Sequence, residues 1–268
     1  MTVHYGDSPT GQGTVLLLPG IGLSYRAYTK LIGRLRSANF RVVSPHVPDL
    51  ARVVEKSNIT VTLRTVGIVA ARLLELIDPE QPMFVIGHSL GGGIATEMVA
   101  SHPESFFGMI LANSIGAPDD EGGRRSPLDW AFSFPSDLMV TRDLPGTVSS
   151  VTSDVIRMLG PDSQPLMSLA HAAQRADLTK PFRVVKRIGI PTFAIHSDMD
   201  RVIRFRSFKK MVELLGAESK VVPGAHGWML TEVRSIDQVV IPEIEKMRVA
   251  AYRKASPNGS LSSGAIST

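Results

Sequence analysis

A serine hydroxyl that could act as a nucleophile lies in the five residues Gly87-His88-Ser89-Leu90-Gly91, which fit the pattern G-x-S-x-G. The pattern alone is weak, because its residues are common. However, four apolar residues precede it and predict a buried strand, and the helical period after it predicts a helix. A strand, a sharp turn and a helix form the setting that lifts such a serine clear of a sheet. We therefore predict that Ser89 is a catalytic nucleophile.

A glycine-rich turn that binds phosphate is the alternative interpretation of this segment. The dinucleotide-binding pattern G-x-G-x-x-G does not fit from Gly87, and the lysine of a P-loop is missing. A strained serine turn also requires small neighbours, because larger side chains would clash there. The nucleophile interpretation is therefore favoured.

A serine hydroxyl needs a base to remove its proton, and the base needs an acid that orients it. In a sheet with this serine turn, the order along the chain is serine, acid, histidine. His226 lies in a glycine-flanked loop after the last predicted strand, 26 residues beyond Asp200, and we predict that it is the base. The other histidines fit worse, because they are terminal, near helix ends, beside the serine, inside an insertion or at a strand end: His4, His46, His102, His88, His171 and His196.

The acid is expected at the end of the strand that precedes this histidine by one unit. Asp198 and Asp200 both lie there. Asp200 is preferred, because it lies on the loop from which it could reach the histidine, whereas Asp198 is close enough to the strand to cap the turn. Asp119 or Asp120, after an earlier predicted strand, is a third option.

Acyl transfer also requires backbone N–H groups that stabilise the oxyanion. The N–H of Leu90, directly after the serine, is one predicted donor. The other is expected in the loop after the first long strand, where Ile21 is preferred and Gly22 is the alternative. A plain turn is the simpler interpretation of the preceding Pro19-Gly20 pair.

Short apolar runs alternate with segments of helical period, which predicts an α/β fold built on a mostly parallel, doubly wound sheet. The predicted strands are Val15–Leu18, Phe40–Val43, Met83–Ile86, Phe106–Ala112, Pro191–His196 and Lys220–Val222. The predicted helices are Tyr25–Arg36, Thr60–Ile77, the segment from the serine turn to Ser101, Phe205–Leu215 and Ile236–Tyr252. Each predicted catalytic residue follows one of these strands.

The alternation breaks between residues 116 and 182, where helix-like pieces replace strands: Leu128–Met139, Val148–Leu159 and Gln164–Ala176. We interpret residues 116–182 as a helical lid between two parts of the core, 1–115 and 183–255, followed by a disordered tail, 256–268. A substrate pocket is predicted from these side chains: Gly22, Trp130, Phe134, Met139 and Trp228. The alternative is that the large ones pack into a small core of the lid, or of the main domain for Trp228.

Composition excludes several classes of protein. The net charge is +4, and no basic block is interleaved with aromatic residues, so nucleic-acid binding is not expected. No run of 18 apolar residues predicts a membrane span, and the N-terminus has no signal-peptide pattern. The lack of cysteine fits a reducing compartment, and we expect a cytoplasmic location. No metal or other cofactor is expected, and the oligomeric state is left open.

Four segments together resemble the α/β-hydrolase superfamily: LPGIG (18–22), GHSLGG (87–92), IPTFAIHSDMD (190–200) and PGAHGW (223–228). The resemblance spans nearly the whole chain apart from the lid. It implies a serine-nucleophile member with a nucleophile elbow, an oxyanion hole and a lid. Serine at this position differs from the aspartate of the similar haloalkane dehalogenases and epoxide hydrolases.

The chain departs from its relatives at three places. Many relatives have His-Gly where this chain has Pro19-Gly20, and many have Asp-x-x-Gly-x-Gly-x-Ser where it has Ser44–Asp49. About 13 residues precede the first long strand, too few for the usual leading hairpin. We therefore expect one edge strand at Thr2–Tyr5 and seven strands rather than eight.

The sequence predicts a hydrolase that cleaves a small or medium apolar ester, thioester or lactone through an acyl-enzyme on Ser89. One alternative is a non-hydrolytic enzyme of the same fold, such as an acyltransferase, a lyase or a cyclase. Another is a ligand-binding receptor with a vestigial triad. The pattern alone does not distinguish the bond that is attacked.

Overall fold

The computed structural model describes residues 3–6, 12–77, 83–117, 154 and 156–255. Within them, seven strands form one sheet in the order β1-β3-β2-β4-β5-β6-β7. Only β1 is antiparallel to its neighbour. The strands are β1 Val3–Gly6, β2 Thr14–Leu18, β3 Arg41–Pro45, β4 Met83–His88, β5 Phe106–Ala112, β6 Thr192–Ser197 and β7 Glu218–Val222. The predicted, mostly parallel sheet of seven strands is confirmed, with one edge strand before the first long strand.

Eight α-helices longer than one turn lie in the described residues: α1 Thr29–Ser37, α2 Val47–Lys56, α3 Leu63–Ile77, α4 Leu90–Ser101, α5 Ser163–Arg175, α6 Thr179–Ile188, α7 Phe205–Leu215 and α8 Ile241–Ala255. Two 3₁₀ helices, Tyr25–Tyr28 and Pro103–Ser105, precede α1 and β5. Two short helical turns and a π-helical turn precede α8: Trp228–Thr231, Val233–Ser235 and Ile236–Val240. Residues 156–159 are also helical.

Successive residues of the central strands point to opposite faces of the sheet, and both faces are covered by helices. On β2, Leu16 and Leu18 belong to the apolar cluster that includes α3 and α4, whereas Val15 and Leu17 belong to the cluster of α1 and α8. All four side chains are fully buried. A parallel strand buried on both faces reads as a continuous apolar run, which explains why the sequence pattern identified these strands.

The chain changes direction across the sheet between β2 and β4. From β2 it passes to β3 on one side, and then it returns to β4 on the other side. Ligand sites of such sheets lie at this switch point, beyond the carboxyl ends of the strands. Leu18 pairs with Gly87 in the register, so the loop after β2 and the turn after β4 are neighbours.

Helix α3 begins at Leu63, directly after a pair of capping hydrogen bonds. Thr62 N–H donates to Thr65 Oγ1 at 2.9 Å, and Thr65 N–H donates to Thr62 Oγ1 at 3.1 Å. These reciprocal bonds satisfy N–H groups that have no partner inside the first turn.

Two helices differ from the sequence-based expectation. Helix α2 is absent from the predicted helices, because its proline resembles a loop residue. Pro48 is in the first turn of α2, where a missing N–H removes no helical bond. Helix α6 begins at Thr179, inside the predicted lid, and packs on α4 and α7. The part of the chain that packs on the core therefore begins before residue 183.

Several expectations fall outside the described residues. They include the predicted helix Leu128–Met139 with Trp130 and Phe134, the aspartates at 119 and 120, and the tail 256–268. In the part that is described, no helix has the length and apolar character needed to cross a membrane.

Candidate active site

Ser89 joins β4 to α4 in a strained backbone conformation. Its φ is 53° and its ψ is −117°, a region that non-glycine residues rarely occupy. The glycines around it are required by close packing. A Cβ on Gly91 would lie 2.0 Å from the Leu18 carbonyl oxygen, and one on Gly87 would lie 2.5 Å from the Cα of Gly92. The pattern read from the sequence therefore has a steric cause.

Backbone hydrogen bonds hold this turn against the end of β5. Ser89 N–H donates to the Ala112 carbonyl at 3.0 Å. The Ser89 carbonyl accepts from Gly92 N–H at 3.0 Å and from Ile115 N–H at 3.2 Å. Three bonds to one residue stabilise a conformation that would otherwise relax. The serine is consequently fixed at the carboxyl edge of the sheet.

Asp200 and His226 form a buried hydrogen-bonded pair at the same edge. His226 Nδ1 lies 2.9 Å from Asp200 Oδ2, and the two side chains are 7% and 0% exposed. The second oxygen, Oδ1, accepts from Val202 N–H at 2.7 Å and from Ile203 N–H at 2.9 Å. A carboxylate only accepts hydrogen bonds, so the proton of a neutral His226 is on Nδ1 and the lone pair that can accept a proton is on Nε2.

Asp200 is suited to be ionised. Burial alone would raise the pKa of its carboxyl group. The charge of His226, its hydrogen bond and the two backbone N–H groups outweigh burial, and the pKa of Asp200 is lowered. An ionised partner orients the imidazole and stabilises the imidazolium that forms when the histidine accepts a proton.

The competing aspartate has a different role. Asp198 Oδ1 accepts from Gly224 N–H at 3.0 Å, and Asp198 N–H donates to the Val222 carbonyl at 3.0 Å. These bonds fix the loop that leads to His226. Asp198 therefore supports the histidine loop, and Asp200 is the aspartate that contacts the imidazole.

The sheet brings Ser89 and the Asp200–His226 pair to the same edge. His226 follows β7, and its ring centroid lies 5.0 Å from that of His88, the residue before Ser89.

The predicted oxyanion donors are the N–H groups of Leu90, at the start of α4, and of Ile21, in the loop after β2. In the described part of the chain, neither the N–H of Leu90 nor that of Ile21 donates to another residue. The N–H of Gly20 is occupied, because it donates to Tyr28 Oη at 2.9 Å. The N-terminus of α4 adds a partial positive charge beside Leu90.

The predicted pocket residues lie in different places. Gly22 has a φ of 72° and faces Met158, whose sulfur would lie 2.7 Å from an added Cβ. Gly22 and Met158 line a small cavity with Leu23 and Leu166. Trp228 is 1% exposed and belongs to the apolar cluster of α1 and α8, so its position is that of a core side chain. Trp130, Phe134 and Met139 lie outside the described residues.

Asn113 was missed by the sequence-based search. It directly follows β5, has a φ of 44° and is fully buried. Its amide Nδ2 donates to Ser197 Oγ at 2.7 Å and to the His226 carbonyl at 3.1 Å. Asparagine tolerates positive φ better than other non-glycine residues. An asparagine immediately after a predicted strand was therefore an available signal.

No three His, Asp or Glu side chains of the described residues are grouped so that they could hold a metal ion. A hydroxyl on a strained turn, a buried carboxylate–imidazole pair and two backbone N–H groups are instead the chemical groups at this edge. Together they are the parts required for acyl transfer through a serine.

Comparison with known proteins agrees with this fold. The model of a family described as the alpha/beta hydrolase family matches residues 15–239. A candidate non-heme haloperoxidase of Mycobacterium phage D29 is 25% identical, covering 85% of this chain and 86% of its own length. A monoacylglycerol lipase of Mycolicibacterium smegmatis (strain ATCC 700084 / mc(2)155) is 27% identical, covering 75% of this chain and 70% of its own.

A solved structure shows the same architecture at low sequence identity. A candidate lipase of Acinetobacter baumannii AYE superposes with a TM-score of 0.70, at 17% identity, over 92% of this chain and 88% of the other. Identity at this level establishes the fold only. The match of the family model over most of the chain establishes more, and the chain belongs to the alpha/beta hydrolase family.

Proposed function

We propose that this protein is a serine hydrolase that cleaves a small or medium apolar ester, thioester or lactone through an acyl-enzyme on Ser89. One observation carries the proposal: the buried Asp200–His226 pair lies at the sheet edge where Ser89 has a strained conformation. This combination is costly to fold, since strain and buried charge both destabilise a protein. Such costs are typical of functional sites.

The proposed reaction begins with attack of Ser89 Oγ on the carbonyl carbon of the substrate. His226 Nε2 takes the hydroxyl proton, and Asp200 holds Nδ1 and stabilises the resulting imidazolium. The N–H groups of Leu90 and Ile21 donate to the oxyanion of the tetrahedral intermediate. When the intermediate collapses, His226 returns the proton to the leaving alcohol or thiol and Ser89 carries the acyl group.

Water completes the cycle. His226 removes a proton from a water molecule, which attacks the acyl carbonyl and forms a second tetrahedral intermediate. Its collapse releases the carboxylic acid and returns the proton to Ser89 Oγ. The same donors serve both intermediates, because each develops its negative charge on the same oxygen.

The apolar class of substrate is supported by one relative. The relative from Mycolicibacterium smegmatis is named as a monoacylglycerol lipase, a name that favours an ester as the substrate.

A second candidate is transfer of the acyl group to an acceptor other than water. The relative named as a haloperoxidase favours hydrogen peroxide as that acceptor. The two candidates share the acyl-enzyme and differ only in its last step. Product analysis with and without hydrogen peroxide separates them, since a peracid forms only in the second case.

The test is hydrolysis of p-nitrophenyl esters of increasing acyl length by the wild type and by His226→Ala. We expect turnover by the wild type, and a loss of several orders of magnitude in kcat for the variant while it remains folded. His102→Ala, at the opposite end of α4, is the matched control and should retain wild-type turnover. Near-native turnover by His226→Ala would reject the assigned base.

A further inference from the structure

A chain of hydrogen bonds crosses the site behind Ser89. Gly20 N–H lies 2.9 Å from Tyr28 Oη, and Tyr28 Oη lies 2.6 Å from His88 Nδ1. On the other side of the ring, His88 Nε2 lies 2.9 Å from the carbonyl oxygen of His226. Three loops, those after β2, β4 and β7, are thus joined through two side chains.

The direction of each hydrogen bond in this chain is determined by chemistry. A carbonyl oxygen only accepts, so His88 Nε2 carries the proton and donates to His226. Burial and the nearby charge of His226 lower the pKa of His88 to about 3, so the ring is neutral and Nδ1 has no proton. Nδ1 therefore accepts from the Tyr28 hydroxyl, whose oxygen accepts in turn from Gly20 N–H. Every donor in the chain has one acceptor.

The hydrogen-bond chain is enclosed in the protein interior. Tyr28 is 0% exposed and His88 is 1% exposed, so no bulk water competes for these bonds. A Cβ on Gly20 would lie 3.1 Å from His88 Nδ1 and 3.4 Å from Ser89 Cβ, which shows how closely the loop approaches the ring and the serine. Burial of unpaired polar groups is costly, so loss of one link would force the loop to move.

Each end of this hydrogen-bond chain lies next to a group that takes part in the proposed reaction. Gly20 precedes Ile21, whose N–H is the proposed oxyanion donor, and the turn is closed by Leu23 N–H donating to the Gly20 carbonyl at 3.1 Å. At the other end, the backbone of His226 bears the proposed base. His88 itself precedes the proposed nucleophile. The hydrogen-bond chain therefore contacts the segments that bear the proposed oxyanion donor, nucleophile and base.

We infer that Tyr28 and His88 are positioning residues that hold the oxyanion loop and the His226 loop in register around Ser89. The inference rests on the proposed function and deepens it, since neither side chain contacts the reacting atoms. Asn113 also donates to the His226 carbonyl, but its other bonds go to Ser197 and do not reach the oxyanion loop. The link between the two loops thus runs through His88.

The test compares Tyr28→Phe with Tyr25→Phe. Tyr28→Phe removes only the hydroxyl that joins Gly20 to His88 and leaves the buried ring. Tyr25→Phe removes a hydroxyl of the same 3₁₀ helix that bonds to Arg26 and lies outside the chain. Ester hydrolysis gives kcat and KM, and binding of an alkyl trifluoromethyl ketone reports on the oxyanion hole.

For Tyr28→Phe we expect kcat to fall by roughly 10–100-fold with KM changed by less than about threefold. The reason is that a displaced Ile21 N–H stabilises the transition state less, whereas it contributes little to binding of the substrate. Affinity for the trifluoromethyl ketone should fall by a similar factor. Tyr25→Phe should match the wild type in all three quantities. A folded Tyr28→Phe with wild-type kcat and wild-type affinity for the ketone would overturn the inference.

Two variants of His88 keep the inference testable if Tyr28→Phe folds poorly. His88→Asn places an amide oxygen near the position of Nδ1 and keeps an acceptor for Tyr28. His88→Gln places an amide nitrogen near Nε2 and keeps a donor for His226. We expect His88→Asn to retain more ketone affinity than His88→Gln, and equal affinities would overturn the inference.

The outcome also separates this inference from the proposed function. If the wild type hydrolyses no ester and Ser89 is not labelled by a fluorophosphonate, the proposed function fails and the inference fails with it. If the wild type is active and Tyr28→Phe is indistinguishable from it, only the inference fails.

Discussion

The Asp200 carboxylate illustrates how single side chains of the site are held. One oxygen contacts His226, and the other accepts two backbone N–H groups of the next turn. This arrangement keeps the carboxylate ionised in a buried place and fixes its rotamer. The imidazole is consequently held with its proton on Nδ1, and a change at Asp200 should act on the histidine without disturbing the serine.

Asp200→Asn tests whether the carboxylate holds the His226 imidazole with its proton on Nδ1. The amide is similar in size, but it can donate to His226 Nδ1 and so favour the wrong tautomer. We expect kcat for ester hydrolysis to fall by about 10⁴-fold, with a smaller change in KM. Asp198→Asn is the matched control, because it lies two residues away and bonds only to backbone. An Asp200→Asn enzyme with more than a tenth of wild-type kcat would contradict the assigned acid.

A cluster of charged side chains joins elements that flank the oxyanion loop. Asp162, just before α5, contacts Arg52 of α2, lies 2.9 Å from Arg157 Nε and lies 3.3 Å from His46 Nε2. Its side chain is 3% exposed. Burial would raise its pKa, but the hydrogen bonds of the two arginines and the nearby His46 outweigh burial and lower it. The cluster anchors the segment that bears Met158 beside Gly22.

Asp162→Asn tests whether this charged cluster stabilises the packing of α2 against the segment before α5. The amide leaves two partly buried arginines without their shared counter-charge, so we expect a loss of about 2 kcal/mol in the free energy of unfolding. Glu75→Gln is the matched control, because it breaks the exposed Arg72–Glu75 pair of α3. Exposed pairs contribute less than about 1 kcal/mol. Urea unfolding measures both, and equal stabilities of the two variants would show that the buried cluster anchors nothing.

The buried His88 gives the whole molecule a pH-dependent stability. Its pKa is about 3 in the folded protein and about 6.5 in an unfolded chain. Between these values the unfolded chain binds a proton that the folded protein does not bind. Lowering the pH therefore stabilises the unfolded state. The groups that face this ring are Tyr28, His226 and Asp200, and they are unchanged in a His88 variant.

The comparison of wild type with His88→Gln isolates this contribution. From pH 6.5 to pH 4.5, the wild type should lose about 2–3 kcal/mol more of its free energy of unfolding than the variant loses. The variant is expected to be less stable at pH 7, so the quantity to compare is the slope with pH. Parallel slopes in urea unfolding would mean that His88 titrates normally in the folded protein.

The sheet and most of the site were predictable because their signals are local. Buried parallel strands are apolar runs, and the serine turn requires glycines that stand beside it in the sequence. The choice of Asp200 over Asp198 could only be a preference, since both aspartates lie within reach of the predicted loop. The structure separates them, because one contacts the imidazole and the other contacts backbone.

What the sequence did not reveal depends on distant partners. Tyr28 and His88 are 60 residues apart, so no spacing indicates that they bond. Helix α2 was missed because Pro48 is read as a loop residue unless its place in a first turn is known. Trp228 follows the predicted base closely, but it points to the core on the other side of the sheet. Each of these depends on tertiary packing.

In the proposed reaction, Ser89 carries an acyl group. The most direct measurement is mass spectrometry of protein quenched with acid within milliseconds of mixing with a p-nitrophenyl ester, followed by peptide mapping. We expect the added mass of the acyl group on the peptide that contains Ser89, and no such mass in Ser89→Ala. Ester turnover with the acyl group on another residue, or turnover retained by Ser89→Ala, would contradict the proposed reaction.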